Sequence, residues 1–206
     1  MNPVQIYPEL LSTIQKVERS TVDPARQALL ASLIDYIQSK LDEKNAVNLN
    51  FICTHNSRRS QFAQIWAKTA SVYFGVPVHC FSGGVEVTAF NPRAVSSIRR
   101  SGFEVASGKG ENPVYSVSFA KHQNPITAFS KLYDDPINNA EKFAAVMTCS
   151  EADHNCPFIP GTEKRIPLNY EDPKAYDDSP EEEEKYDERS MQIATELFYV
   201  FSNIQN

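Results

Sequence analysis

Eight consecutive residues, Cys53-Thr54-His55-Asn56-Ser57-Arg58-Arg59-Ser60, join one thiol and two guanidinium groups to five shorter polar side chains. With five residues between Cys53 and Arg59, a loop between a strand and a helix can curl its backbone N–H groups round a tetrahedral anion. The helix that follows adds unpaired N–H groups and the positive end of its dipole. Arg59 can grip two anion oxygens with its planar fork. The same donors favour a thiolate at Cys53, which makes it a nucleophile. Ser60 can donate to that sulfur. Asn56 can lock the loop through side chain–backbone bonds or hold a residue at positive φ. Thr54, His55, Ser57 and Arg58 complete the oxyanion-binding and thiolate-stabilising set. The competing reading is an ordinary cysteine at the end of a strand.

Three further cysteines are present, Cys80, Cys149 and Cys156. Cys80 lies in an apolar strand pattern and is expected to be a buried hydrophobe. Cys149 and Cys156 are close in sequence, which leaves three readings open. They form a redox pair exchanging a disulfide, they are incidental thiols, or they join His154 in a metal site that lacks an obvious fourth ligand. Their Cα atoms must come within about 7 Å to form a disulfide, so bending of residues 149–158 is expected.

The surrounding periodicities place these groups on elements. Residues 47–52 read as a strand running into Cys53, and 60–73 have helical spacing through Phe62, Ile65, Trp66 and Ala70. A second strand is expected at 76–81, ended by Ser82-Gly83-Gly84. Asn91-Pro92 starts a helix that runs to about Ser101 and stops at Gly102. Residues 142–148 offer a buried strand, and 165–168 a short edge strand containing Pro167. Ser179-Pro180 caps a last helix whose first turn is filled by Glu181 to Glu184, where acids complement the dipole. Alternation of this kind implies an α/β fold with a parallel sheet flanked by helices. Residues 106–137 interrupt the alternation with two β-rich runs, read as an inserted β-hairpin. Residues 1–45 contain two amphipathic runs, the second opened by Asp23-Pro24, expected as a helical N-terminal extension packed on the main domain at 46–206 or serving as a docking hairpin.

Bulk composition narrows the function. The chain has 206 residues, 41% of them hydrophobic, and a net charge of -6. An acidic chain is a poor partner for nucleic acid or an anionic membrane, so an anion must be held by a local, backbone-built site. The first residues show neither a basic nor an apolar leader segment, and no apolar run approaches membrane-spanning length, so a cytoplasmic location is expected. No cofactor and no metal is expected.

Ile52-Cys53-Thr54-His55-Asn56-Ser57-Arg58-Arg59-Ser60-Gln61 resembles the signature of the low-molecular-weight protein tyrosine phosphatase superfamily. Within it, the wording is most similar to the thioredoxin-coupled arsenate reductases. Phe81-Ser82-Gly83-Gly84-Val85-Glu86, Asn91-Pro92-Arg93-Ala94-Val95, and Val146 to Asp153 running into Cys156-Pro157 support the resemblance, which covers about 47–200 without the insertion. The family usually has glycine where His55 stands and a small residue or cysteine where Arg58 stands. Gln64 replaces a glutamate common in the reductase helix.

The resemblance implies a four-stranded parallel sheet in the order 2-1-3-4. It also implies a mechanism in which Cys53 attacks arsenate, Cys149 attacks Cys53 and releases arsenite, and Cys156 attacks Cys149. A dithiol partner such as thioredoxin then reduces the Cys149–Cys156 disulfide. The family's proton donor sits in an Asp-Pro pair, which here is Asp172-Pro173, with Asp177 and Asp178 as fallbacks and a plain turn as the alternative. Phosphatases of the family follow that pair with paired aromatics, whereas this chain has Lys174-Ala175-Tyr176, which favours a small inorganic oxyanion. Three functions are therefore weighed: arsenate reduction by the Cys53/Cys149/Cys156 relay, phosphate ester hydrolysis by Cys53, Arg59 and Asp172, and non-catalytic oxyanion binding.

Overall fold

A computed structural model of the chain describes residues 4–138, 141–155 and 158–205. Two helices come first, α1 at Pro8–Arg19 and α2 at Pro24–Asp42. Asp23 caps α2 by accepting from the Ala25 N–H at 2.8 Å, with Pro24 at the first helical position, where its missing N–H costs nothing.

Strand β1, Val47–Cys53, is buried at every position, as a central parallel strand covered on both faces must be. It is followed by α3 at Arg59–Phe74, β2 at Val78–Gly84 and α4 at Pro92–Arg100. Strands β3 at Glu104–Ser107, β4 at Tyr115–Ser118 and β5 at Ile126–Ala128 come next. The chain finishes with β6 at Phe143–Met147, α5 at Ser150–Asn155, β7 at Thr162–Pro167 and α6 at Glu182–Ser202.

Strands β2-β1-β6-β7 make a four-stranded parallel sheet, the expected 2-1-3-4 order. One continuous apolar core joins this sheet to the helices, with Phe51, Phe62, Trp66, Tyr186 and Phe201 among its fully buried members. A smaller cluster under the loop gathers Ile52, Cys53, Met147, Cys149 and Ile159. Strand β7 lies at the edge, as its proline required. Its polar front is explained by α2, since Tyr36 and Lys40 both reach Glu163, and Lys164 donates to the Ser32 carbonyl.

Three expectations need correction. Strand β2 does not stop before Ser82-Gly83-Gly84 but carries them, with Gly83 and Gly84 in register with Ile52 and Cys53. The glycines are there for close approach rather than for a turn. A Cβ on Gly83 would sit 2.2 Å from Tyr133 Cα, and one on Gly84 2.8 Å from both Asn56 N and Thr54 O. The insertion is more than a hairpin, because β3, β4 and β5 form a three-stranded antiparallel sheet. In addition, the short extended segment Gln5–Ile6 ahead of α1 pairs with Ala120–Lys121, so it closes on the insertion. Helix α6 begins at Glu182 rather than next to Ser179, whose hydroxyl accepts from Glu181 N in a preceding turn. Among the described residues no helix is long and apolar enough to cross a membrane.

Candidate active site

Cys53 is the last residue of β1 and Arg59 the first of α3, so residues 54–58 must turn the chain from strand to helix. Asn56 takes φ 48°, the left-handed region that asparagine tolerates. Its buried amide is the hub of the loop. The Asn56 oxygen accepts from the Lys131 N–H at 3.1 Å, and its nitrogen donates to Ser60 Oγ at 2.8 Å. Ser60 Oγ lies 3.1 Å from Cys53 Sγ. Since Asn56 already supplies a proton to that hydroxyl oxygen, the Ser60 hydroxyl proton is free to point at the sulfur.

The rest of the loop is clamped from outside. Thr54 O accepts from Val85 N and Glu86 N, both at 2.9 Å. His55 O accepts from Ser130 Oγ at 2.8 Å, and Ser57 Oγ donates to Ala89 O at 2.7 Å. The His55 ring is half exposed and meets Glu86 at 3.2 Å. Gln61 donates to Asn56 O and to Phe129 O.

The two arginines diverge. Arg59 Nη2 donates to Asp172 Oδ2 at 2.8 Å, and its Nη1 to Tyr170 O at 3.0 Å. Its Nε is buried without a partner, a donor left over in a group suited to forked oxyanion contact. Arg58 turns to α6 instead, donating from Nε to Tyr186 OH at 2.8 Å and lying 3.6 Å from Asp177 and 3.9 Å from Asp172. Tyr186 in turn donates to Asp177 at 2.7 Å. Burial, then the bond to Asp177, holds the Tyr186 phenol above its ordinary value, against Arg58. Asp172 also caps the short 3-10 turn Pro173–Tyr176 by accepting from Lys174 N. Asp177 is engaged by Arg58 and Tyr186, and Asp178 pairs with Arg93 at 2.6 Å.

Cys149 is fully buried in the cluster that holds Cys53. Its sulfur is 3.5 Å from Thr54 Oγ1, on the residue after Cys53, and accepts from Ala152 N at 3.4 Å. Cys156 lies outside the described residues. His154 Nδ1 meets the Ser150 carbonyl at 2.7 Å. Cys80 lies on β2 within the main core, and burial pushes its thiol up to about 12.

Cys53, Ser60, Arg59, Asp172 and Cys149 are thus gathered at the C-terminal ends of β1 and β6. Sequence reasoning missed Tyr170, Tyr186, Glu196 and Lys131, which hold these groups from behind. Tyr170 OH donates to Glu196 at 2.9 Å, and burial then Glu196 hold its phenol well above the ordinary value. No spacing marks them, because Tyr186 and Glu196 sit in a helix read for its apolar pattern and Tyr170 and Lys131 sit in loops. A cavity of about 580 Å³ opens beside Arg59 and Asp172, with Tyr176, Lys185 and Arg189 on its walls.

No family model matches the chain. Arsenate reductase 2 of Staphylococcus haemolyticus is 30% identical over 123 residues, which cover 60% of this chain and 76% of that protein. The arsenate reductase of Bacillus subtilis is 29% identical over 123 residues, covering 60% and 71%. Among solved structures, a low molecular weight phosphotyrosine phosphatase from Vibrio cholerae superposes with a TM-score of 0.52 at 11% identity, covering 77% of this chain and 95% of that one. A YwlE mutant from Bacillus subtilis gives a TM-score of 0.52 at 15% identity over 76% and 97%. At such identities the structural likeness concerns the fold.

Proposed function

The chain belongs to the arsenate reductase family, enzymes built on the low-molecular-weight protein tyrosine phosphatase fold, and from that premise we propose that it reduces arsenate through a relay of Cys53, Cys149 and Cys156. Residues 46–206 are the catalytic domain and 1–45 its helical addition, and the enzyme works in the cytoplasm with a thioredoxin-like dithiol. The observation that carries this reading is the second buried thiol, Cys149, packed against the loop residue that follows Cys53. Phosphate ester hydrolysis consumes no electrons and has no use for that thiol.

The anion enters the loop and competes with Asp172 for the Arg59 fork. Arg59 then holds two oxygens, and Asp172 is released to lend a proton to the departing oxygen. The Cys53 thiolate bonds to arsenic as water leaves. The Cys149 thiolate attacks Cys53 sulfur, so a sulfur–sulfur bond forms and the sulfur–arsenic pair of electrons stays on arsenic. Arsenic(V) becomes arsenic(III) and leaves as arsenite. Cys156 attacks Cys149 and frees Cys53, and the external dithiol reduces the Cys149–Cys156 disulfide by the same exchange.

The cavity of about 580 Å³ favours one further activity, because it exceeds what arsenate fills and carries Tyr176 on its wall. Slow phosphomonoester hydrolysis by Cys53, Arg59 and Asp172 follows from it. Arsenite release measured with thioredoxin, thioredoxin reductase and NADPH, beside para-nitrophenyl phosphate hydrolysis, tests both. Cys149→Ser and Cys156→Ser should each stop multiple-turnover reduction and leave ester cleavage within about threefold, since phosphoryl transfer needs only nucleophile, cradle and acid. Wild-type reduction rates in both variants would remove the relay.

A further inference from the structure

Where the outer edge of β2 meets α3 and the inserted segment, a cavity of about 320 Å³ is lined by Lys68, His79, Phe81, Ile126, Lys131 and Asn138, among others. None of the residues assigned to the reaction lines it. Its volume reaches the lower range of small-molecule sites.

Two of its polar groups are unsatisfied. Lys131 is 3% exposed, and its ammonium makes no hydrogen bond among the described residues. Its charge rests 4.9 Å over the Phe129 ring. Burial brings its pKa down to about 8, with Asp135 opposing that shift. A buried ammonium without a hydrogen-bonding partner costs several kcal/mol in the absence of an anion. Asn138 is fixed by its Nδ2, which donates to the Ser82, Leu132 and Tyr133 carbonyls, and its buried Oδ1 accepts from nothing among the described residues. Two side chains of the cavity wall, Lys131 and Asn138, thus carry a strong donor and an acceptor without partners among the described residues. Lys68 and His79 stand beside them, and Phe81 and Ile126 supply apolar wall. No carboxylate is among the described lining residues.

We propose that this cavity is a second binding site, taking a small organic anion that carries a hydrogen-bond donor on an apolar body. The anionic group lies against Lys131 and Lys68, and the donor meets Asn138 Oδ1. An occupant here touches the active-site loop through one residue. The Lys131 N–H donates to Asn56 Oδ1, and its carbonyl accepts from Gly84 N at 2.8 Å.

The proposal is tested on the wild-type enzyme with pyridoxal 5′-phosphate, an anionic aldehyde with a phenolic hydroxyl. The lysine amine attacks the aldehyde, water leaves, and hydride from added borohydride fixes the imine as a stable amine. At pH 8 and one equivalent of reagent, peptide mapping should find Lys131 labelled at least fivefold more than the exposed Lys109 and Lys174. Excess 4-hydroxybenzoate, which joins an anionic group to an aromatic ring and a phenolic donor, should cut labelling of Lys131 at least fivefold, and Lys68→Met should weaken that protection. Labelling of Lys131 no heavier than of Lys109, or heavy labelling that 4-hydroxybenzoate fails to protect, overturns the site.

Discussion

At the residue scale, one amide links the loop's serine to the inserted segment. Asn56 fixes Ser60 on one side and the Lys131 backbone on the other, and both bonds serve the sulfur of Cys53. Arg59 divides its fork between Asp172 and the Tyr170 carbonyl. A lysine at that position is a point charge and cannot make both contacts. Arg59→Lys should lower kcat/KM by roughly a hundredfold, the scale of losing one oxyanion donor. It should also weaken the protection that phosphate gives Cys53 against iodoacetate, and unchanged protection would contradict the assigned role.

Lys131 yields a stability prediction with a definite sign. Its folded value of about 8 lies below the 10.5 of the free side chain, so the folded state holds fewer protons between those limits. The group's penalty is then fully present below pH 8 and fades as the pH rises to 10.5. Lys131→Met should therefore stabilise the fold at pH 7 by about 2 kcal/mol. That advantage should shrink between pH 8 and pH 10.5 in urea titrations.

At the element scale, the strand–loop–helix unit was legible because its chemistry is local. Cys53 ends a strand pattern, Arg59 opens a helical one, and the residues between them turn the chain from one to the other. Asn91 was legible in the same way, since its side chain caps α4 by accepting from Arg93 N. Strand β3 was not. Three of its four residues are exposed, so no alternation marks it, and it exists because Tyr115–Ser118 offers a partner edge. The Ser82-Gly83-Gly84 run was misread for a related reason. Glycine signals either a turn or close approach, and only the packing of Tyr133 and residues 54–56 against it distinguishes them. Gly84→Ala puts a methyl within 2.8 Å of two loop backbone atoms, which no side-chain motion relieves. It should cost roughly 3 kcal/mol and lower phosphate affinity at the loop as measured by calorimetry. Wild-type affinity in a folded variant would mean that the loop adjusts freely.

At the scale of the whole molecule, the helical addition is wired to the site. Arg26 of α2 forks onto both oxygens of Glu196 on α6, at 2.9 and 2.6 Å. Glu196, only 3% exposed, also accepts from Tyr170, whose carbonyl holds Arg59. Arg26→Ala leaves a buried carboxylate without its cation and should cost about 3 kcal/mol, read from the urea midpoint. Replacing both partners with apolar residues should recover much of that loss. Such a tie could not be read from sequence, since 170 positions separate its partners and neither sits in a motif.

The same packing orders events in time. Helices α1 and α2 lie against α6, and Gln5–Ile6 against Ala120–Lys121. During synthesis the first helices leave the ribosome early, yet the surface that buries Leu10, Ile14, Leu30 and Leu33 is completed only when Glu182–Ser202 follows. Until then an apolar face stays uncovered on the nascent chain, the kind of surface chaperones recognise. Helices α1 and α2 depend on α6, the later segment, to complete the surface they pack on.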